Sequence, residues 1–377
     1  MDFSQTTQQQ ELLQIVQAIT QVHCTEEQEA DRDISPAFPA ELFQALAKAG
    51  TLNLWATAIR GGGFLNACLV GEALSLKSST ASNLYSINGA CAAMMAFAGG
   101  ELSQALLASL GEGKAMFSFA LTEATGGSDI SENSATATLD GDEFVINGEK
   151  LFTTGAKDAS HIVTALRTDP TGSPRRGTSL IIIPRPAEGL KERVLDKVAG
   201  NSVATCRLSF NNVRVKNSHL LGDLNNAWPI LGVGAQVERL IVASAAIGLA
   251  QRAYDEVKRY LETREQSGKM IAEHQSIRHQ FADMATQIEA MRWMTYRAAW
   301  MADQRMPCQT EVNMAKCFAT EQSNLVVNQA MRLAGGRSYL LGDVLNRTWR
   351  EASLCYFAGG TGELQRDAIA QSLAANG

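Results

Sequence analysis

The sequence predicts a mostly α-helical molecule with a β-domain in its middle, and three observations lead there. From residue 8 to about 112 the chain is rich in Ala, Leu and Gln at helical spacing. Near Met116 the texture turns to β-branched alternation, and after Gly222 long helical periods return. The expected units are an N-terminal helical bundle over 1–113, a middle β-barrel or sandwich over 114–222, and a C-terminal four-helix bundle over 223–377.

The first block opens on an amphipathic stretch (MDFSQTTQQQELLQIVQAI) and is broken at Asp33–Pro39 and Arg60–Gly63, where Pro and Gly interrupt the period. In the second block, Ser134–Leu139 alternates, with Ala135, Ala137 and Leu139 expected on one face and Thr136 and Thr138 on the other. Asp140-Gly141 predicts a hairpin turn, and Phe144–Ile146 follows as a strand. Asn147-Gly148 reads as a second turn of the same kind, leading into Leu151–Thr154. His161–Leu166, Ser179–Ile183 and Ala204–Phe210 are further strand candidates. In the third block, helices are expected from Trp228 to about Glu265, Ile271 to about Gln304 and Thr310 to about Leu333, with a short one after Gly362. Ile277, Phe281, Met284, Ile288, Met291, Met294, Ala298 and Met301 recur at three- and four-residue spacing, a narrow seam suited to helix-on-helix packing.

With 377 residues, 45% hydrophobic and 19% charged, the chain can bury two or three cores. A net charge of −6 gives no uniform basic field to attract nucleic acid. The N-terminus lacks the basic flank and unbroken apolar run of a signal peptide, so a cytoplasmic location is expected. Its most apolar window, Ile241–Ala250, contains Ser244 and Gly248, and no membrane span is expected. Seven scattered cysteines without CxxC spacing read as reduced core residues and predict no metal site.

Five segments carry chemistry. Phe119-Ala120-Leu121-Thr122-Glu123-Ala124-Thr125-Gly126-Gly127-Ser128-Asp129 is a strand ending in Thr that runs into a Gly-rich turn, which offers N–H groups and hydroxyls to a nucleotide. Asn147-Gly148-Glu149-Lys150-Leu151-Phe152-Thr153-Thr154-Gly155 puts an aromatic ring and a hydroxyl two residues apart on one strand face. Arg264-Glu265-Gln266-Ser267-Gly268-Lys269, followed by His274-Gln275, supplies an Arg fork suited to a pyrophosphate. In Met331-Arg332-Leu333-Ala334-Gly335-Gly336-Arg337 two glycines end a helix and let backbone approach a phosphate. The fifth is Phe357-Ala358-Gly359-Gly360-Thr361-Gly362-Glu363-Leu364-Gln365-Arg366.

In this order the segments resemble the acyl-CoA dehydrogenase family, from about residue 95 to the C-terminus and more weakly before it. The resemblance implies FAD as cofactor, with Phe119, Leu121, Thr122, Ser128, Phe152, Thr153 and Thr154 on its flavin side. Arg264, His274, Gln275, Gly335, Gly336, Thr361 and Glu363 join the cofactor set, partly across a dimer interface of a homodimer or homotetramer. It also implies an acyl thioester ligand, with Ser128, Gln236, Arg239 and Gly360 beside it. The glutamate that many members use as base is Gly359 here. Gln236-Val237-Glu238-Arg239 matches the alternative arrangement of isovaleryl-CoA and long-chain acyl-CoA dehydrogenases, which places the base at Glu238.

By that resemblance Glu238 removes the α-proton of the thioester, the β-hydrogen leaves as hydride to flavin N5, and a trans-2-enoyl thioester forms. Electrons then pass to an electron-transfer flavoprotein or to oxygen. Ala124, Ser267 and Arg332 depart from the family pattern, as does the loss of an acidic loop at Thr57–Gly63. These departures leave an acyl group tethered to a carrier protein open as substrate, along with a reductive relative. A flavin monooxygenase or oxidase on the same fold lacks a base like Glu238, and a non-enzymatic paralogue would have shed the flavin contacts.

Overall fold

The computed structural model describes residues 4–375; residues 1–3 of the amphipathic N-terminal stretch and 376–377 lie outside them. The chain opens with α1 (Thr7–His23), α2 (Glu26–Ile34), α3 (Ala40–Lys48), α4 (Leu54–Gly61), α5 (Phe64–Lys77), α6 (Ser79–Ala98) and α7 (Glu101–Gly111). Capping boxes at Thr6/Gln9 and Thr25/Gln28 start the first two. Asp303 of a later helix accepts from the Gly63, Phe64 and Leu65 N–H groups and so caps α5. Leu84, Tyr85, Cys91, Met94 and Met95 bury α6 at the centre of this layer.

The middle block is one mixed sheet of β1 (Phe117–Ala120), β2 (Thr136–Asp140), β3 (Glu143–Thr154), β4 (His161–Arg167), β5 (Thr178–Pro184), β6 (Leu190–Leu195), β7 (Thr205–Lys216) and β8 (Leu220–Leu221). Its order is β6-β7-β3-β2-β4-β5-β8, with β1 parallel to β4. The hairpin forms as expected: Asp140 pairs with Glu143, and Gly141 takes φ +65° in the loop.

The second turn does not form. β3 runs unbroken past Asn147-Gly148, where the register against β7 shifts in a bulge. Gly148 has φ +127°, and a Cβ there would lie 2.7 Å from Ala135 Cα and Cβ, so the glycine admits a neighbouring strand. Asn147 Oδ1 accepts from the Asn212 N–H at 2.9 Å, tying the bulge to β7. The alternation of β2 holds for Ala135 and Ala137, which are buried, but fails at Leu139, which is 53% exposed at the hairpin tip.

Beyond the sheet, α8 (Trp228–Thr263) is followed by a small hairpin, β9 (Glu265–Gln266) and β10 (Lys269–Met270). Then come α9 (Gln275–Asp303), α10 (Gln309–Ala334), α11 (Val344–Ala352) and α12 (Gly362–Ala375). In the α9 seam Met284, Ile288, Met291, Ala298 and Met301 are buried. With 36 residues, α8 is long and apolar enough to cross a membrane by length and composition. Its apolar residues are instead buried against protein: Val237, Leu240 and Ile241 join the core of the N-terminal helices, while Ala246, Ile247 and Val257 join that of α9 and α10. A third core fills the sheet around Phe144, Ile146, Ile162 and Val213. All seven cysteines are buried and unpaired.

Candidate active site

Because α8 belongs to both helical cores, a residue near the middle of its first half faces the seam between them. Glu238 sits there, half-buried. Burial raises its carboxyl above the usual range, while a hydrogen bond from the Gly359 N–H and the charges of Arg239 and Lys316 pull the other way. Gly359 takes φ +67°, and a Cβ on it would meet the Glu238 carbonyl at 3.6 Å and Arg239 Cα at 3.7 Å. Position 359 thus lies directly over the turn of α8 that bears Glu238.

Cys91 of α6 is close enough to feel the Glu238 charge, which puts the carboxylate between α6, α8 and the 356–361 loop. Burial holds the neighbouring Arg239 below its ordinary range, Glu238 opposing this, and its Nε has no hydrogen-bond partner among the described residues. Gln236 Nε2 donates to Cys308 Sγ at 3.3 Å. Gly360 has φ +88° and completes the loop.

The first two sequence segments meet in space: the Leu151 N–H donates to the Thr122 carbonyl at 2.8 Å. Glu123 and Lys150, quoted in those segments but not as partners, form a buried ion pair at 2.7 Å. Lys150 Nζ also donates to the Leu121 carbonyl, and Glu123 accepts from the Ser134 and Ala135 N–H groups. Burial pushes the Glu123 carboxyl up, but these donors outweigh it and hold the group below its ordinary range. The pair locks the strand-to-loop turn that presents Thr122 and, further along, the exposed Ser128.

A second register shift, between Lys150 and Thr153, turns Phe152 outward at φ +56° with 64% of its surface exposed. A bulky residue in the left-handed region is strained, and its ring gains little packing in return. Thr154 is half-buried beside it, its hydroxyl 3.0 Å from that of Thr205. The Thr153 side chain points into the sheet, fully buried, leaving only its backbone toward the Phe152 side. Phe119 and Leu121 are partly buried against the helical core.

The remaining cofactor candidates fall in two places, one at the far end of α8 and one beside the 356–361 loop. Arg264 is exposed at the C-terminal end of α8, His274 and Gln275 begin α9, and Gly335 and Gly336 follow α10. Arg337 stacks on Tyr260 at 4.9 Å and donates to Glu256, which brings the 335–339 turn against the last turns of α8. Thr361 and Glu363 cap α12: Thr361 Oγ1 accepts from the Leu364 N–H, and Glu363 is exposed, its carboxyl held low by its own backbone N–H and by the Thr361 hydroxyl. From Glu238 to Arg264 the helix advances roughly 39 Å.

The sequence matches the family model of the acyl-CoA dehydrogenase middle domain over residues 118–213 and that of the acyl-CoA dehydrogenase C-terminal domain over 228–374. It is 30% identical over 369 residues to the probable acyl-CoA dehydrogenase YdiO of Escherichia coli strain K12, covering 97% of this chain and 96% of that protein. It is 35% identical over 277 residues to the probable acyl-CoA dehydrogenase YngJ of Bacillus subtilis, covering 72% of each. Butyryl-CoA dehydrogenase from Megasphaera elsdenii superposes with a TM-score of 0.94 at 26% identity, over 99% of this chain and 100% of that one. The three-block architecture and these matches together make the chain an oxidoreductase belonging to the acyl-CoA dehydrogenase family.

Proposed function

We propose that this protein is an FAD-dependent dehydrogenase that converts an acyl thioester to its trans-2-enoyl form, with Glu238 as the base. The observation that supports this most is the Glu238 carboxylate, whose ionisation burial opposes and which lies on the turn of α8 beneath Gly359, where a Cβ would come within 3.6 Å of the Glu238 carbonyl. A carboxyl raised toward the operating pH by burial is what proton removal from carbon requires. The chain's residues fit a flavin: an exposed, strained aromatic ring stands beside two threonine hydroxyls, Thr122 and Thr154, at a turn locked by a buried ion pair.

When bound, FAD supplies the acceptor for the β-hydrogen. The chain does the rest. Phe152 would cover one side of the ring, and Thr122 and Thr154 would offer hydroxyls to its polar edge. Arg239 lends positive charge beside the thioester, and Glu238 takes the α-proton in a setting that the apolar tail seals from water. Since Arg264 lies roughly 39 Å along α8 from the base, it serves the cofactor of a second copy of the chain, and the flavin site is shared.

The test is anaerobic mixing of the purified holoenzyme with butyryl-, isovaleryl- and octanoyl-CoA. The reading expects the flavin absorbance near its visible maximum to bleach with at least one of them and a trans-2-enoyl-CoA to appear. No bleaching by any acyl thioester, CoA- or carrier-bound, overturns it.

A further inference from the structure

Lys316, two turns into α10, is fully buried, and the reaction outlined above gives it no part. Unlike Lys150, which meets Glu123, its ammonium donates to backbone carbonyls: Gly360 O, and Tyr356 O at 3.4 Å. An ammonium so deeply enclosed is expensive unless its charge and its three donors are answered. The carbonyls answer the donors. They belong to the loop whose Gly359 N–H bonds the Glu238 carboxylate. That loop turns on two consecutive residues of positive φ, Gly359 (67°) and Gly360 (88°), which have no intrinsic preference to hold this shape. Its anchors are therefore side chains. Gln365, also fully buried, donates to Gly359 O at 3.1 Å and Gly360 O at 3.4 Å from the α12 side, and Lys316 holds the loop from the α10 side.

The charge is answered across the seam. The groups facing Lys316 are Glu238 and Arg239 of α8, Cys317 on its own helix, Cys355 before the loop, and Glu363 at the start of α12. Those facing Glu238 are Arg239, Lys316 and Cys91 of α6. Burial raises all three thiols, so they stay neutral. Of the two carboxylates in this set Glu363 is exposed to solvent, so the enclosed one is Glu238, and two cations, Lys316 and Arg239, share it.

We propose that Lys316 is a positioning residue for the base: its buried ammonium fixes the 356–360 loop so that the Gly359 N–H meets the Glu238 carboxylate, and supplies that carboxylate's counter-charge from α10. The inference rests on Glu238 being the base. Removing the Lys316 charge removes one of the influences that favour the ionised carboxylate, so the midpoint of the acid limb of flavin reduction moves up. Replacing lysine with another cation leaves it in place.

The experiment measures the single-turnover rate of flavin reduction against pH for holoenzymes of wild type, Lys316→Gln and Lys316→Arg, using whichever of butyryl-, isovaleryl- and octanoyl-CoA bleaches fastest. The expected result is an acid limb displaced upward by on the order of one pH unit in Lys316→Gln and near its wild-type position in Lys316→Arg. A lysine that merely props the loop lowers Tm in both variants without moving the midpoint, and an unmoved midpoint in Lys316→Gln overturns the proposal. Should Lys316→Gln not fold, the same coupling is read from the other partner, because it is reciprocal. In Glu238→Gln the ammonium has lost its carboxylate, so the folded protein releases the Lys316 proton at lower pH. A lysine whose folded pKa is depressed stabilises the fold as pH rises, so Tm of Glu238→Gln relative to wild type climbs between about pH 8 and 10. A flat difference over that range overturns the proposal. Full activity in Glu238→Gln sinks the assignment of the base itself, whereas an inactive Glu238→Gln with no coupling sinks the role of Lys316 alone.

Discussion

At Glu238, burial works against ionisation while Gly359, Arg239 and Lys316 work for it. Burial wins, so the carboxyl titrates above the ordinary glutamate value of about 4.3. Since only the ionised form removes a proton, flavin reduction should rise with pH along an acid limb centred above that value; an acid limb at or below it contradicts the burial described. The linked pair Glu238 and Gly359 was legible in the sequence only through the family resemblance, because both lie in segments similar to the family's. Lys316 was not: a lysine inside a helical period reads as a solvated position, and only the fold turns it toward a loop 40 residues on. The Glu123–Lys150 pair was hidden for the same reason, both members having been read as parts of separate segments.

Among the elements, β3 shows how one strand can serve two ends. Its first bulge, at Gly148, lets Ala135, just before β2, approach, and its second releases Phe152 from the ladder so that the ring faces out. Asn-Gly misled the reading because the pair favours positive φ wherever it occurs, and a bulge needs that as much as a turn does. Gly148→Ala should destabilise the fold by about 2–3 kcal/mol, since the methyl meets Ala135 backbone and the φ is unsuited to alanine. Thermal or denaturant unfolding of the apoprotein checks this, and an unchanged Tm contradicts the close approach. Helix α11 escaped the sequence for a different reason. It is only nine residues long, and much of its buried face is polar, with Asn346, Arg347, Thr348 and Glu351 inside and Arg252 pairing with Glu351 there.

On the scale of the whole molecule, α8 is the axis that joins the blocks. Its first half completes the core of the N-terminal helices and carries Glu238; its second half completes the core of α9 and α10 and ends at Arg264. The order of helical, sheet and helical blocks was legible because periodicity changes sharply near Met116 and Gly222. That the N-terminal helices and the first half of α8 share one core was not, because periodicity marks which residues are buried and is silent on what buries them. The separation of roughly 39 Å between Glu238 and Arg264 predicts that Arg264→Ala keeps the fold, the residue being exposed, yet loosens FAD by about tenfold or more. Cofactor content after gel filtration, with Tm of the apoprotein as control, checks it; full retention of FAD contradicts a site shared between copies.

The most direct test of the account is the anaerobic reaction of Glu238→Gln, purified with its full complement of FAD, with the acyl-CoA that best bleaches the wild type. The account predicts unchanged thioester binding and a rate of flavin bleaching lower by about a hundredfold or more. Bleaching at the wild-type rate would mean that another group takes the proton.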